Sequence, residues 1–307
     1  MKSPTNALLC WLAVADLLTM VPYVPFVIYF YCVYSPYDTT PEKYTYAWVM
    51  YMLFLINFVA TTHTISNWLG VSLAAFRFVQ LRSTTKGMYG QRQMYGTIQK
   101  VIVMVYICSC IVLIPNYITN KTEECIDDKS NKTFYCLRDL KLGTNETKTI
   151  VLANVLTYSI VTKIVPCILM TIFSGSLLIS LNINGRKRRR RLSAVRPNNN
   201  RRDNQQAKTT QMLLVVIILF LVTEFPHGLL ILISTTVPNF YQTVYVSLGD
   251  LMDLLALINN AVNFLLYCIM SSQFRSKFLK MYFNKEKNIE AVNNTELTSL
   301  RTDYVSS

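Results

Sequence analysis

Apolar side chains along this chain gather into six long runs separated by polar stretches, at residues 8–34, 47–79, 98–118, 150–183, 210–237 and 244–270. A helix of about 20 apolar residues crosses a hydrocarbon core about 30 Å thick. Every run meets that length. The second and fourth exceed it, which predicts tilt or protrusion into water. A soluble core accommodates one such run, not six. The pattern predicts an all-α, polytopic transmembrane helix bundle within residues 1–283. Beyond the last run, Phe274, Phe278 and Met281 share a helical stripe with Arg275, Lys277 and Lys280 around it. This predicts a short amphipathic cytoplasmic helix over residues 271–283, lying on the membrane face. Residues 284–307 are polar, with the composition of a disordered cytoplasmic tail.

Composition agrees. Of 307 residues, 52% are hydrophobic and 15% charged, against about a quarter charged in soluble domains. Disordered, collagenous and small disulfide-scaffold classes are excluded. The net charge of +13 is not spread over a basic domain. It sits mainly in the loop at residues 184–209, where Arg186 to Arg191, Arg196, Arg201, Arg202 and Lys208 face Asp203 alone. Such a loop between two apolar runs belongs on the cytoplasmic side and does not indicate nucleic acid. The loop at residues 119–149 is nearly balanced in charge and carries three glycosylation sequons, at Asn120, Asn131 and Asn145. Both features place it outside a plasma membrane that the chain crosses several times. Counting spans from there puts residues 1–5 inside.

Ionisable residues within apolar runs are costly, and each is a candidate functional residue. They are Asp16, Arg77, Lys163, Glu224, Asp250 and Asp253. Arg77 and Lys163 can snorkel to an interface. Asp16 and Glu224 lie too deep and require a partner, a proton or a wet cavity. Asp250 and Asp253 suit either a solvated outer turn or a ligand site. The histidines, His63 and His227, lie on different spans, so no structural metal site is expected. Gly70-Val71-Ser72-Leu73-Ala74 loosely matches a serine-protease motif, but small-residue strings are frequent where membrane helices pack closely. No enzyme is expected. Cys10, Cys108, Cys110 and Cys167 lie inside apolar runs and read as small apolar packers.

Taken together, the motifs resemble the rhodopsin-like (class A) G-protein-coupled receptors. Asn6 with Leu12-Ala-Val-Ala-Asp16-Leu17 stands where that family has its second helix. Phe76-Arg77-Phe78 stands for Asp-Arg-Tyr, and Pro166 for the fifth-helix proline. Phe220 and Glu224-Phe225-Pro226 stand for the sixth-helix Phe and Trp-x-Pro, and Asn263-Phe264-Leu-Leu-Tyr267 for Asn-Pro-x-x-Tyr. Ser3-Pro4-Thr5-Asn6, Asn67-Trp68-Leu69 and Thr223-Glu224-Phe225-Pro226-His227-Gly228 are similar to the invertebrate myosuppressin and sex-peptide (myoinhibitory peptide) receptor group.

The resemblance implies a seven-helix receptor fold of which six spans are present, the first helix being expected to precede Met1. It implies a neuropeptide ligand of the amidated Arg-aromatic, FMRFamide-like kind, with a myoinhibitory peptide as an alternative, and a Gi/o-type heterotrimeric G protein. The outward ligand cavity would draw on His63, Lys163, Glu224, His227, Tyr241, Tyr245, Asp250 and Asp253, with Glu224 or Asp253 pairing the peptide's arginine. Phe76, Arg77, Phe78, Pro166, Phe220, Pro226, Asn263 and Tyr267 would form the switch. Asp16, Ser66, Asn259 and Asn263 would form a sodium or water site, with no other cofactor. The third-helix cysteine of the family is Met52 here, so the outward cysteines Cys32, Cys125 and Cys136 leave two pairings open: Cys125 with Cys136, or one of them with Cys32. A transporter using Asp16 and Glu224 as an ion or proton relay is the reading from a different class. Internal repeats, which such a protein often carries, are not visible.

Overall fold

A computed structural model describes residues 4–35, 38, 40–82, 88–126, 133–137, 145–192, 200–237 and 240–270. Helix α1, Pro4–Met20, ends where Val21-Pro22 interrupts the first apolar run. A short helix α2, Tyr23–Val27, and a π-helical turn, Ile28–Val33, carry the run onward. Helix α3 spans Tyr46–Arg82 without a break, and α4 spans Met88–Thr119 with Pro115 inside it. Strands β1 (Thr122–Ile126) and β2 (Thr133–Leu137) form an antiparallel hairpin in which Glu123 faces Cys136. The next span is one continuous helical run. It begins as α5, Asn145–Thr157, widens into a π-helical turn at Tyr158–Ile164, and continues as α6, Val165–Leu192. Helix α7 covers Asn200–Thr236 around Pro226. A third π-helical turn, Tyr241–Tyr245, leads into α8, Val246–Met270.

Five of these segments are long and apolar enough to span a bilayer: Ala7–Val33, Tyr46–Gln80, Met94–Thr119, Thr149–Ser180 and Ile217–Thr236. In α8 the corresponding apolar stretch among the described residues is shorter, Leu251–Val262. The chain is therefore an all-α polytopic membrane bundle, with one hairpin added in a loop. That outward faces are apolar is direct: Val103, Ile107 and Ile111 line one side of α4, and each is more than half exposed. In water such a stripe would be a liability. Against lipid it is the expected surface.

The centre of the bundle is α3. One apolar cluster joins it to α1 and α4 through Leu8, Leu12, Ile65, Leu69, Ile98 and Ile102. A second joins it to α6 and α7 through Val71, Cys167, Met170, Ile217 and Phe220. Threonine hydroxyls inside the spans bond back to the carbonyl one turn earlier, as Thr61, Thr64 and Thr171 do. Each is thereby satisfied without water.

At one end of the bundle the hairpin docks on the start of α3, where the Tyr135 amide donates to the Tyr44 carbonyl. Beneath it Lys43 is 1% exposed. Its ammonium donates to the Ser35 carbonyl at 2.7 Å and lies 5.7 Å and 5.5 Å from the Phe30 and Tyr44 ring centres. Aromatic faces replace part of the water this cation gives up.

Several expectations change. The basic stretch is largely helical, since α6 runs to Leu192 and α7 begins at Asn200. Backbone propagation past Ser180, where that span's apolar stretch ends, carries the helix beyond membrane depth. Of the four cysteines expected to pack inside, Cys167 is buried, whereas Cys10, Cys108 and Cys110 are exposed on outward faces. The amphipathic helix at 271–283, the tail and Asn131 lie outside the described residues. So do the side chains of Asn145, Tyr241, Asp250, Asn263 and Tyr267.

Candidate functional site

Pro166 sets the local geometry of the site. It has no N–H, so it cannot donate to the carbonyl four residues earlier, Thr162 O. The adjoining π-helical turn redirects that region toward α3, and the Asn67 side-chain amide donates to Thr162 O at 3.1 Å. The wider turn also aims Ser159 and Lys163, four residues apart, toward α7. Ser159 donates to the Gly228 carbonyl at 2.8 Å. Glycine is needed at 228 because a Cβ there would stand 2.9 Å from Lys163 Cβ and 3.3 Å from Ile164 Cγ1.

One turn before Gly228 is Glu224. Its Oε2 accepts from Lys163 Nζ at 2.6 Å and lies 3.0 Å from His63 Nε2. Lys163 is 1% exposed and Glu224 fully buried. A carboxylate only accepts, so the His63 proton sits on Nε2. His63 Nδ1 and Glu224 Oε1 have no partner among the described residues. The cluster thus draws its members from three spans: His63 and Asn67 from one face of α3, Ser159 and Lys163 from the π-helical turn, Glu224 and Gly228 from α7. Beside it, Tyr245 Oη lies 3.5 Å from His227 Nε2.

This arrangement corrects one expectation. Lys163 does not snorkel, because the wider turn points it at a carboxylate inside the bundle. Glu224, Lys163 and His63 are buried against one another. Asp253 is exposed on α8.

A second polar site lies between α1 and α3. The Ser66 hydroxyl donates to Asp16 Oδ1, and Thr19 donates to Thr62 Oγ1 at 2.9 Å. Asp16 Oδ2 and the buried Asn259 Oδ1 on α8 have no partner among the described residues. Unpaired buried oxygens fit a hard cation or a water.

Toward the end of α3, Phe76 packs against the α1–α3–α4 cluster and Phe78 lies 6.3 Å from the Phe173 ring. Between them Arg77 is only partly exposed, and its Nε is buried without a partner among the described residues. Phe220 is buried in the second cluster and Pro166 is fully buried.

Elsewhere the loop cysteines are decided: Cys125 and Cys136 form a disulfide across the hairpin and Cys32 is free. Asn120 joins a polar seam at the end of α4. Its Nδ2 donates to Asn57 Oδ1 at 2.8 Å, while Asn154 donates to Asn116 Oδ1 at 2.7 Å and Thr119 Oγ1 at 3.1 Å. The sequence gives Asn67 and Gly228 only as members of family-like strings and Asn120 only as a sequon, and it assigns no role to Ser159 or to the other asparagines of this seam. The available signal was the proline at 166, which had to leave a carbonyl in need of a donor.

The G-protein coupled receptor dmsr-1 of Caenorhabditis elegans is 24% identical over 331 aligned positions, covering 92% of this chain and 62% of that protein. The chain thus spans about three-fifths of the length of this relative. Residues 1–285 match the profile of the serpentine type 7TM GPCR chemoreceptor Srw family. A helical membrane bundle with a sealed ionic centre and an arginine at the end of its central span is, by that match along nearly its whole described length, a member of the Srw family of seven-transmembrane G-protein-coupled receptors.

Proposed function

We propose that the chain acts at the plasma membrane as a class A receptor, gated from outside by an amidated peptide with an arginine beside its aromatic end. Ligand occupancy shifts the population of a state that engages a Gi/o-type G protein. In this reading the hairpin side faces out and the connection between α6 and α7 faces in, which the sequons and basic residues support. The observation that carries the ligand reading is the placement of an acid near an aromatic ring: Asp253 is exposed on α8, with Tyr245 eight residues before it, whereas Glu224 is buried and bridged to Lys163. An Arg–carboxylate pair is directional and charge-assisted. Asp16, with Ser66 and Asn259, would hold a sodium ion, whose charge would satisfy the carboxylate oxygen left over.

The family's description as chemoreceptors favours a second reading, an external small molecule in place of a peptide. Cells expressing the chain are challenged with an amidated Arg-Phe peptide and with the same peptide carrying citrulline for arginine. The peptide reading expects a response to the first that weakens strongly in Asp253→Asn, and a citrulline peptide already weak and little changed by the substitution. Equal loss for both peptides removes Asp253 from the role. No response to any amidated peptide, with response to small molecules, establishes the second reading.

A further inference from the structure

We propose that the Lys163–Glu224–His63 cluster is an interhelical lock that holds the receptor in its resting arrangement. The proposal rests on membership of a G-protein-coupled family and not on the peptide reading. Its position is the first argument. Lys163 comes three residues before Pro166 and Glu224 two residues before Pro226. Prolines free backbone groups and permit bending. The 2.6 Å bridge therefore ties two helices together beside the points at which each can bend, and His63 anchors the pair to the central helix. Any outward swing of α7 about Pro226 must move Glu224 relative to Lys163 or be opposed by it.

The second argument is chemical. Both donors converge on Glu224 Oε2 while Oε1 has no partner among the described residues. A bundle built for stability alone would fill this space with apolar side chains, because a buried ion pair scarcely recovers its own desolvation. An incompletely satisfied pair suits an element with two arrangements. The third argument fixes the direction. Arg77, the residue expected to meet the G protein, is drawn inward with its Nε buried, so the arrangement containing the closed bridge is the resting one.

Agonist-independent signalling, normalised to surface protein, tests the lock in cells expressing the full chain. Glu224→Gln and Lys163→Met are expected to raise it at least about fivefold, the lower bound of ordinary allosteric coupling. The double variant Lys163→Met/Glu224→Met is expected to reach the surface at the wild-type level and to signal equally strongly, because matched apolar side chains replace a buried pair without loss of fold. The exchange Lys163→Glu/Glu224→Lys is expected to fall back toward wild type. Wild-type basal signalling from the double Met variant at normal surface level overturns the proposal. So does its absence from the surface, which would make the bridge a requirement of folding and not a switch. Failure of the peptide reading leaves these measurements untouched, since no ligand is added.

Discussion

Replacing Gly228 with alanine probes a close interhelical approach without altering any charge. The added Cβ meets Lys163 Cβ at 2.9 Å, Ile164 Cγ1 at 3.3 Å and Ile164 N at 3.8 Å. Carbon pairs rest at about 3.5–4.0 Å, so α7 and the π-helical turn must part by roughly 0.6–1 Å. Lys163 Cβ is fixed to its own backbone and cannot rotate away. Overpacking of this kind costs about 1–3 kcal/mol. The same displacement stretches the 2.8 Å bond from Ser159 to the Gly228 carbonyl, worth about 1 kcal/mol. Removing a helical glycine returns about 1 kcal/mol. The net expectation is a destabilisation of about 1–3 kcal/mol. Two glycines serve as controls. At Gly175 a Cβ meets nothing within 4 Å, so Gly175→Ala gains up to about 1 kcal/mol. At Gly70 it meets Met170 Cε at 2.5 Å, the free end of a flexible side chain, which can repack at little cost. Thermal unfolding in detergent, followed by size exclusion after heating, should rank Gly175→Ala at or above wild type, Gly70→Ala close to it, and Gly228→Ala well below. If Gly228→Ala melts at or above wild type, or Gly70→Ala falls as far, the close approach is not what holds these helices together.

Asn120 is expected to stay unmodified although it heads a sequon, because the atom that would receive the glycan donates to Asn57 Oδ1 one residue beyond α4. A glycosidase mobility shift should survive in Asn120→Gln and vanish in Asn131→Gln/Asn145→Gln; a shift persisting in the double variant refutes this. Melting temperature should rise when sodium replaces choline at constant ionic strength, and Asp16→Asn should abolish the rise, because an amide replaces the carboxyl that carries the unpaired Oδ2; an undiminished sodium effect in the variant sinks the site. Arg77→Ala should lower receptor-dependent nucleotide exchange on the G protein while leaving thermal stability near wild type, since Arg77 Nε has no partner to lose among the described residues; a parallel loss of both would make Arg77 structural. Thiol labelling should reach Cys32 before reduction but Cys125 and Cys136 only after it, and the reverse order counts against the hairpin disulfide.

The sequence alone determined that this chain is a helical membrane bundle, and the reason is the bilayer. Lipid offers no hydrogen bonds, so an apolar run of spanning length has to be a helix, and runs are visible without knowing what they touch. The cost of charge at depth likewise marked Asp16, Lys163 and Glu224 as residues needing an explanation. What one dimension could not supply was the explanation itself. Glu224 finds its partners 61 and 161 residues away, and only tertiary packing brings them together. Facing was equally hidden. A helix in lipid is apolar on both its packed and its exposed sides, so periodicity does not separate the two as it does in water. The π-helical turn at Tyr158–Ile164 then shifts the 3.6-residue register and turns Lys163 from an interface to a buried acid. Asn120 makes the same point in reverse: its motif is legible in sequence, and the neighbour that claims its amide is not. Among Cys32, Cys125 and Cys136, spacing allowed more than one bridge, and the pairing of β1 with β2 chose the one that formed.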